Sequence, residues 1–176
     1  MTPIGQMEMK CELYSDAGNV GKNPSPFITW AWCLVEDDQL VKSNSGFVDG
    51  KGKLLSNNVA EMIALILAFE SIPEEWEGTF SCDSEITLWR TFRNWKLNNL
   101  PNNVVRRLRE IKTKFKIGTP DCKIIPIAVA GHPTKQNLRD GFRIKDNKKY
   151  PVSVYNKLCD DLCKKEGDKV KAKLGL

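Results

Sequence analysis

A chain of 176 residues, 41% apolar and 28% charged, has the length and balance of one globular domain with a real core, and no stretch approaches the roughly 20 apolar residues a bilayer crossing needs. The net charge of +5 and pI near 8.9 suit an anionic partner such as nucleic acid without specifying one. Met1–Gln6 lacks the basic start and apolar run of a secretory leader, so a cytoplasmic location is expected, with no membrane partner and six reduced cysteines.

In chain order, Cys11 and Leu13 alternate with polar neighbours, which predicts a half-buried first strand. It runs into Ser15-Asp16-Ala17-Gly18, where Asp16 reads either as a turn residue or as a carboxylate held over something. Taken alone, the turn is the better reading. After the loop Gly21–Pro26, the aromatic and β-branched run Phe27–Val35 predicts a second strand. Glu36–Gln39 predicts a hairpin turn, and Leu40 to about Val48 a third strand. Together these make an antiparallel meander.

Asn57–Phe69 is rich in helix formers and apolar on nearly every side, which predicts a buried helix capped by Asn57 or Asn58. Glu61 breaks its apolar pattern. Thr79–Cys82 predicts a fourth strand that leads straight into Asp83, with a helix from Ser84 to about Leu97. A further helix is predicted over Val104–Lys114, with a strongly basic surface. Lys123–Val129 predicts a fifth strand, where Pro126 implies an edge or a bulge. It empties into Gly131 and His132, the only histidine.

Thr134–Tyr150 is polar and basic. Ser153–Glu166 predicts a final helix with Ser153 as cap, and the lysine-rich end beyond it is expected to fray. On that helix Cys159 and Cys163 are four apart, too few ligands for a zinc site. No internal repeat divides the chain, so residues 1–176 are read as one domain, with a core of about 8–167 and a basic tail at 168–176.

This order predicts an α/β fold with a mixed five-stranded sheet flanked by helices. A parallel pairing of the first and fourth strands would bring Asp16 and Asp83 to one rim. Clustered carboxylates repel one another, and burial raises their pKa. A fold keeps such a cluster chiefly when a divalent cation offsets the charge, and oxygen donors suit Mg2+ or Mn2+.

The motifs Tyr14-Ser15-Asp16-Ala17-Gly18, Ser56-Asn57-Asn58-Val59-Ala60-Glu61, Ser81-Cys82-Asp83-Ser84, Gly131-His132-Pro133 and Asn156-Lys157-Leu158-Cys159-Asp160 resemble, in order, those of type 1 ribonuclease H. The resemblance spans about Lys10 to Glu166 and implies the single-domain ribonuclease H-like fold. It implies an endoribonuclease cutting the RNA strand of RNA–DNA hybrids with two Mg2+ ions, with Mn2+ a substitute, leaving 5′-phosphate and 3′-hydroxyl ends. The metal ligands and catalytic carboxylates would be Asp16, Glu61, Asp83 and Asp160, and His132 would assist proton movement or product release. Asn19, Asn23, Asn57, Asn58, Glu85 and Asn156 fall where the family touches nucleic acid. Uncharged side chains such as Asn57 and Asn58 suit the reading of 2′-hydroxyls across a shallow minor groove. A monomer is expected.

The chain departs from the family pattern in places. Ala17 follows Asp16 where many members have glycine, and Glu85 stands where an amide is usual. The basic handle of the common bacterial form is reduced to Trp95–Leu100. The segment before Asp160 is long and carries Lys135, Arg139, Arg143, Lys145, Lys148 and Lys149, which are expected to grip the hybrid in the handle's place. Asp161 and Asp140 compete with Asp160 for the fourth carboxylate, though Asn156 four residues earlier fits Asp160 best. Two other readings compete with the whole. One is a resolvase or exonuclease of the same broad fold, and the other is a catalytically silent nucleic-acid-binding module.

Overall fold

The computed structural model describes residues 8–176, so the absence of a leader read over Met1–Gln6 lies outside the described residues. Strands β1 (Cys11–Asn19), β2 (Phe27–Glu36) and β3 (Gln39–Asp49) form the expected meander. The β2–β3 turn is two residues, Asp37 and Asp38, both with positive φ (47° and 62°), a conformation Asp tolerates. Strands β4 (Gly78–Cys82) and β5 (Ile124–Ala128) add in parallel on the other side of β1. The five-stranded order is β3-β2-β1-β4-β5, which is the predicted mixed sheet. Pro126 lies in the edge strand β5, as its missing N–H donor requires.

Helix α1 (Asn57–Glu70) lies against one face of the sheet, with α2 (Glu85–Phe92) and α3 (Asn102–Lys114) packed beside it. Its cap is Ser56, whose Oγ accepts from the Val59 N–H at 3.2 Å. The sequence reading put the cap one or two residues late, and both asparagine side chains stay free for other work. Phe69 of α1 meets Phe80 of β4 at 4.8 Å and Phe115 at 5.4 Å between ring centres. Each aromatic ring buried this way is worth roughly 1.5–3 kcal/mol.

Helix α5 (Val154–Leu174) covers the opposite face, against β1, β2 and β3. Cys33, Cys159 and Cys163 pack there among Tyr14, Ala31 and Val35 as small hydrophobes, and all six cysteines are free thiols.

Two helix ends differ from expectation. α2 stops at Phe92 rather than Leu97, because Asn94 turns the chain with a φ of 53° while the Arg93 guanidinium stacks 3.8 Å over the Trp89 ring. α5 runs eight residues past Glu166 to Leu174, so most of the tail expected to fray is helical. Val170 is buried against the fold, and Gly175 at φ 70° closes the helix in the left-handed conformation glycine favours.

The basic segment before α5 also has structure of its own. Thr134 and Asn137 cap each other's backbone N–H groups at the start of the short helix α4 (Lys135–Asp140). A separate hairpin follows, β6 (Phe142–Lys145) and β7 (Lys148–Pro151), turning at Asp146 and Asn147. Among the described residues, no helix is long and apolar enough to cross a membrane.

Candidate active site

The site arises from a mismatch in strand length. The parallel ladder between β1 and β4 ends at Tyr14 and Ser81, while β1 continues along β2 as far as Asn19. The end of β1 therefore overhangs β4. Asp16 lies inside this overhang, opposite Ala31 of β2, and is neither a turn residue nor the end of its strand. Asp83 comes directly after the last residue of β4 and rises beside the overhang. Glu61 reaches the same point from the second turn of α1. Carboxylate oxygens of Asp16, Glu61 and Asp83 all lie within 4.8 Å of one another.

Burial makes this arrangement expensive. Asp16 is 3% exposed and Glu61 4%. Burial first, then the neighbouring Asp83, holds the Asp16 carboxyl well above the usual carboxylate range. Glu61 is pushed up by burial, then by Asp16 and Asp83. Asp83 is raised by burial, an effect that His132 and Lys145 partly oppose. The backbone N–H of Ala17 acts on both Asp16 and Glu61, lowering the pKa of each carboxyl against the effect of burial. Glu61 Oε2 is buried with no hydrogen-bond partner. An orphaned oxygen among converging carboxylates is the donor set a hard divalent cation takes.

Asp160 stands one step outward on α5. Its Oδ2 accepts from Lys164 Nζ at 2.9 Å and faces His132 Nδ1 at 3.6 Å. It lies outside the tight trio, yet its charge bears on Asp16 and Asp83. The competing acids fall elsewhere: Asp161 is exposed and pairs with Lys157 at 2.7 Å, and Asp140 accepts from Gln136 on α4. Lys164 was missed from sequence, although its spacing of four residues from Asp160 on a helix was the available signal.

The loop after β5 closes the rim. A side chain at Gly131 would place its Cβ 2.7 Å from Asp83 Oδ2, so any larger residue would have to push that carboxylate aside. His132 follows with φ 46°, a strained conformation for a non-glycine residue, and its side chain is 76% exposed. The loop is tied from behind. Arg143 Nη1 donates to the Gly131 carbonyl at 2.6 Å, and Asn156 Nδ2 donates to the Ala130 carbonyl at 3.4 Å.

The residues expected to meet nucleic acid separate into two kinds. Asn57 lines hollows on both sides of the cluster, Asn58 is exposed, and Glu85 faces the larger hollow, which Tyr150 also lines. Asn19 and Asn23 hold the approach to α1: Asn19 Nδ2 donates to the Leu55 carbonyl, and Asn23 Oδ1 accepts from the Asn57 N–H, each at 3.0 Å. Asn156 is 1% exposed, so where it stands it braces the loop from inside rather than offering a contact surface.

No protein-family profile matches the chain, and no curated protein is similar to it in sequence. Solved structures are similar. LC11-RNase H1, isolated from compost by a metagenomic approach, superposes with a TM-score of 0.62 at 18% identity, covering 92% of this chain and 97% of that one. LC11-RNase H1 in complex with RNA/DNA hybrid gives 0.61 at 18% identity, over 92% and 99%. RNase H1 from the halophilic archaeon Halobacterium salinarum NRC-1 gives 0.61 at 21% identity, over 91% and 98%. At these identities the likeness establishes the fold.

Proposed function

We propose that this chain is a ribonuclease of the type 1 ribonuclease H family that hydrolyses the RNA strand of RNA–DNA hybrids. The observation that carries the reading is the meeting of Asp16, Glu61 and Asp83 within 4.8 Å at the rim of a ribonuclease H fold. Similar folds include an RNase H1 solved with an RNA/DNA hybrid, which favours that substrate class over the junctions or free ends a resolvase or exonuclease would take.

Asp16, Glu61 and Asp83, with Asp160 on the outer side, would hold two divalent cations, Mg2+ by preference. Bound there, the ions would supply activation of a water and stabilisation of the leaving oxygen in an in-line displacement, giving 5′-phosphate and 3′-hydroxyl ends. The protein's own part is positional. The overhang of β1 positions Asp16, the Ala17 N–H favours the charged forms of Asp16 and Glu61, and Gly131 lets the loop lie close to Asp83. His132, exposed and facing Asp160, would take or give a proton at the rim as product departs. Asn57 and Asn58, freed from capping by Ser56, would read 2′-hydroxyls.

The deciding assay incubates the protein with matched RNA–DNA hybrid, duplex RNA and duplex DNA, with magnesium and with chelator. Cleavage of the RNA strand in the hybrid alone, and only with metal, is expected. Cleavage of duplex DNA, or any cleavage in chelator, would sink the proposal. A silent binding module would bind hybrid and cut nothing.

A further inference from the structure

The insertion before α5 is a wall of the active-site cleft, and its hairpin has two different faces. Cross-strand partners in an antiparallel pair share a face. The register pairs Arg143 with Tyr150 and Lys145 with Lys148, and the next positions pair Phe142 with Pro151 and Ile144 with Lys149. The first set therefore lies on one face and the second on the other. Lys149 Nζ sits 4.3 Å over the Phe142 ring, which places both on the second face.

The first face is turned to the carboxylates. Arg143, Lys145 and Tyr150 line a cleft of about 640 Å3 together with Asp83, Asn57 and His132. Two ties fix this orientation: Arg143 clamps the Gly131 carbonyl, and the Ala130 N–H donates to the Pro151 carbonyl at 2.9 Å, joining β7 to the loop after β5. Lys145 is exposed, makes no ion pair among the described residues, and still acts on Asp83, whose carboxyl its charge pulls down. An ammonium facing a metal-ligand carboxylate across an open cleft is placed for an anion lying between them. Asp146 at the turn is the one acid the hairpin adds to this lining.

Building on the hybrid-cutting reading above, we propose that the inner face of this hairpin, Lys145 with Lys148, is a phosphate-binding subsite. It holds the backbone of the RNA strand next to the scissile phosphate. The insertion is then no diffuse replacement for a basic handle spread over all six cations: the inner lysines carry the contact, Arg143 holds the wall in place, and Lys149 and the α4 cations do not take part.

The test measures binding of an RNA–DNA hybrid by fluorescence anisotropy, between about 50 and 200 mM salt, in an Asp16→Asn background that cannot turn over. Lys145→Ala/Lys148→Ala should weaken binding about tenfold at the low-salt end and reduce the slope of log affinity against log salt by roughly 1.5, at about 0.7–0.9 per phosphate contact. Lys135→Ala/Lys149→Ala should change neither, and Lys145→Arg should restore most of the affinity. With native carboxylates, the inner pair should raise KM and leave kcat near its original value. Equal effects from the inner and outer pairs, or none from the inner pair on a hybrid that the parent binds, would overturn the subsite. A parent that binds no hybrid would instead sink the ribonuclease reading. All four lysines are exposed, and a thermal melt checks that each variant keeps its fold.

Discussion

Two groups of acids share one rim and differ in what balances them. Asp16, Glu61 and Asp83 are drawn from a strand, a helix and a strand end, are largely buried, and have no cation within the trio. Asp160, on the last helix, already faces the Lys164 ammonium at 2.9 Å and the His132 imidazole at 3.6 Å. The inner group could hold a metal, and a cation bound there would offset its charge and stabilise the fold. The outer acid is balanced by the protein itself and can exchange partners. Chemistry that depends on bound metal should therefore fail outright with the inner group, and damage to the outer contacts should only slow it.

The largest effect should come from Asp83→Asn. Turnover is expected to fall by about 10³-fold or more, with hybrid binding retained, because the amide keeps the shape and loses the charge. His132→Ala should slow turnover by roughly 10²-fold, in the range for a lost proton-transfer partner. Steady-state rates on one hybrid, measured beside binding, compare the two directly. Equal, complete loss in both variants would erase the distinction between the groups and remove the role given to His132.

The inner group should also show itself in stability without any substrate. Its carboxyls have folded-state pKa values raised above the unfolded ones. As pH climbs past about 4, the unfolded chain ionises these groups while the folded protein resists, so in chelator the cluster destabilises the fold progressively toward neutral pH. Asp16→Asn should then leave the melting temperature near that of the parent at pH 4 and raise it at pH 8. Each kcal/mol of relief corresponds to roughly 2–4 °C for a chain of this size. Magnesium should raise the parent's melting temperature at pH 8 and shrink the variant's advantage. An unchanged or lower melting temperature for the variant at pH 8 in chelator would mean that the three acids do not strain the fold.

The two groups were unequally legible in the sequence. The inner acids sit beside strong local signals: an alternating strand before Asp16, an apolar helix around Glu61, and a strand running into Asp83. Neither the overhang nor the 4.8 Å convergence can be read that way, because the length of a parallel ladder is set by a partner some 65 residues away. Asp16 therefore reads as a turn until β4 shows where its pairing stops. The expected Asn57 or Asn58 cap missed by one or two residues because serine and asparagine cap equally well, and the choice rests on which side chain the packed helix leaves facing Val59. The hairpin went unseen because Phe142 and Ile144 are two apolar residues in a basic stretch, too few to set a period. Its turn carries Asp-Asn rather than the Asn-Gly or Asp-Gly pair that marks hairpins.

The smallest effect is expected at Ala17, which stands where many type 1 ribonucleases H have glycine. Its backbone lies in regular strand pairing with Trp30, and it is absent from the positive-φ positions, so nothing in its conformation calls for glycine. The side chain packs against the core on the α1 side, while the group that serves the acids is its N–H, which glycine also has. Ala17→Gly should thus keep turnover within about twofold while lowering stability by roughly 0.5–1 kcal/mol, the usual penalty for glycine inside a strand. Rates and a melting curve on the same preparation test both halves. A tenfold change in rate at unchanged stability would show that the methyl group itself sets the spacing between Asp16 and Glu61, and the inner group would then be tuned by side-chain packing rather than held by its backbone.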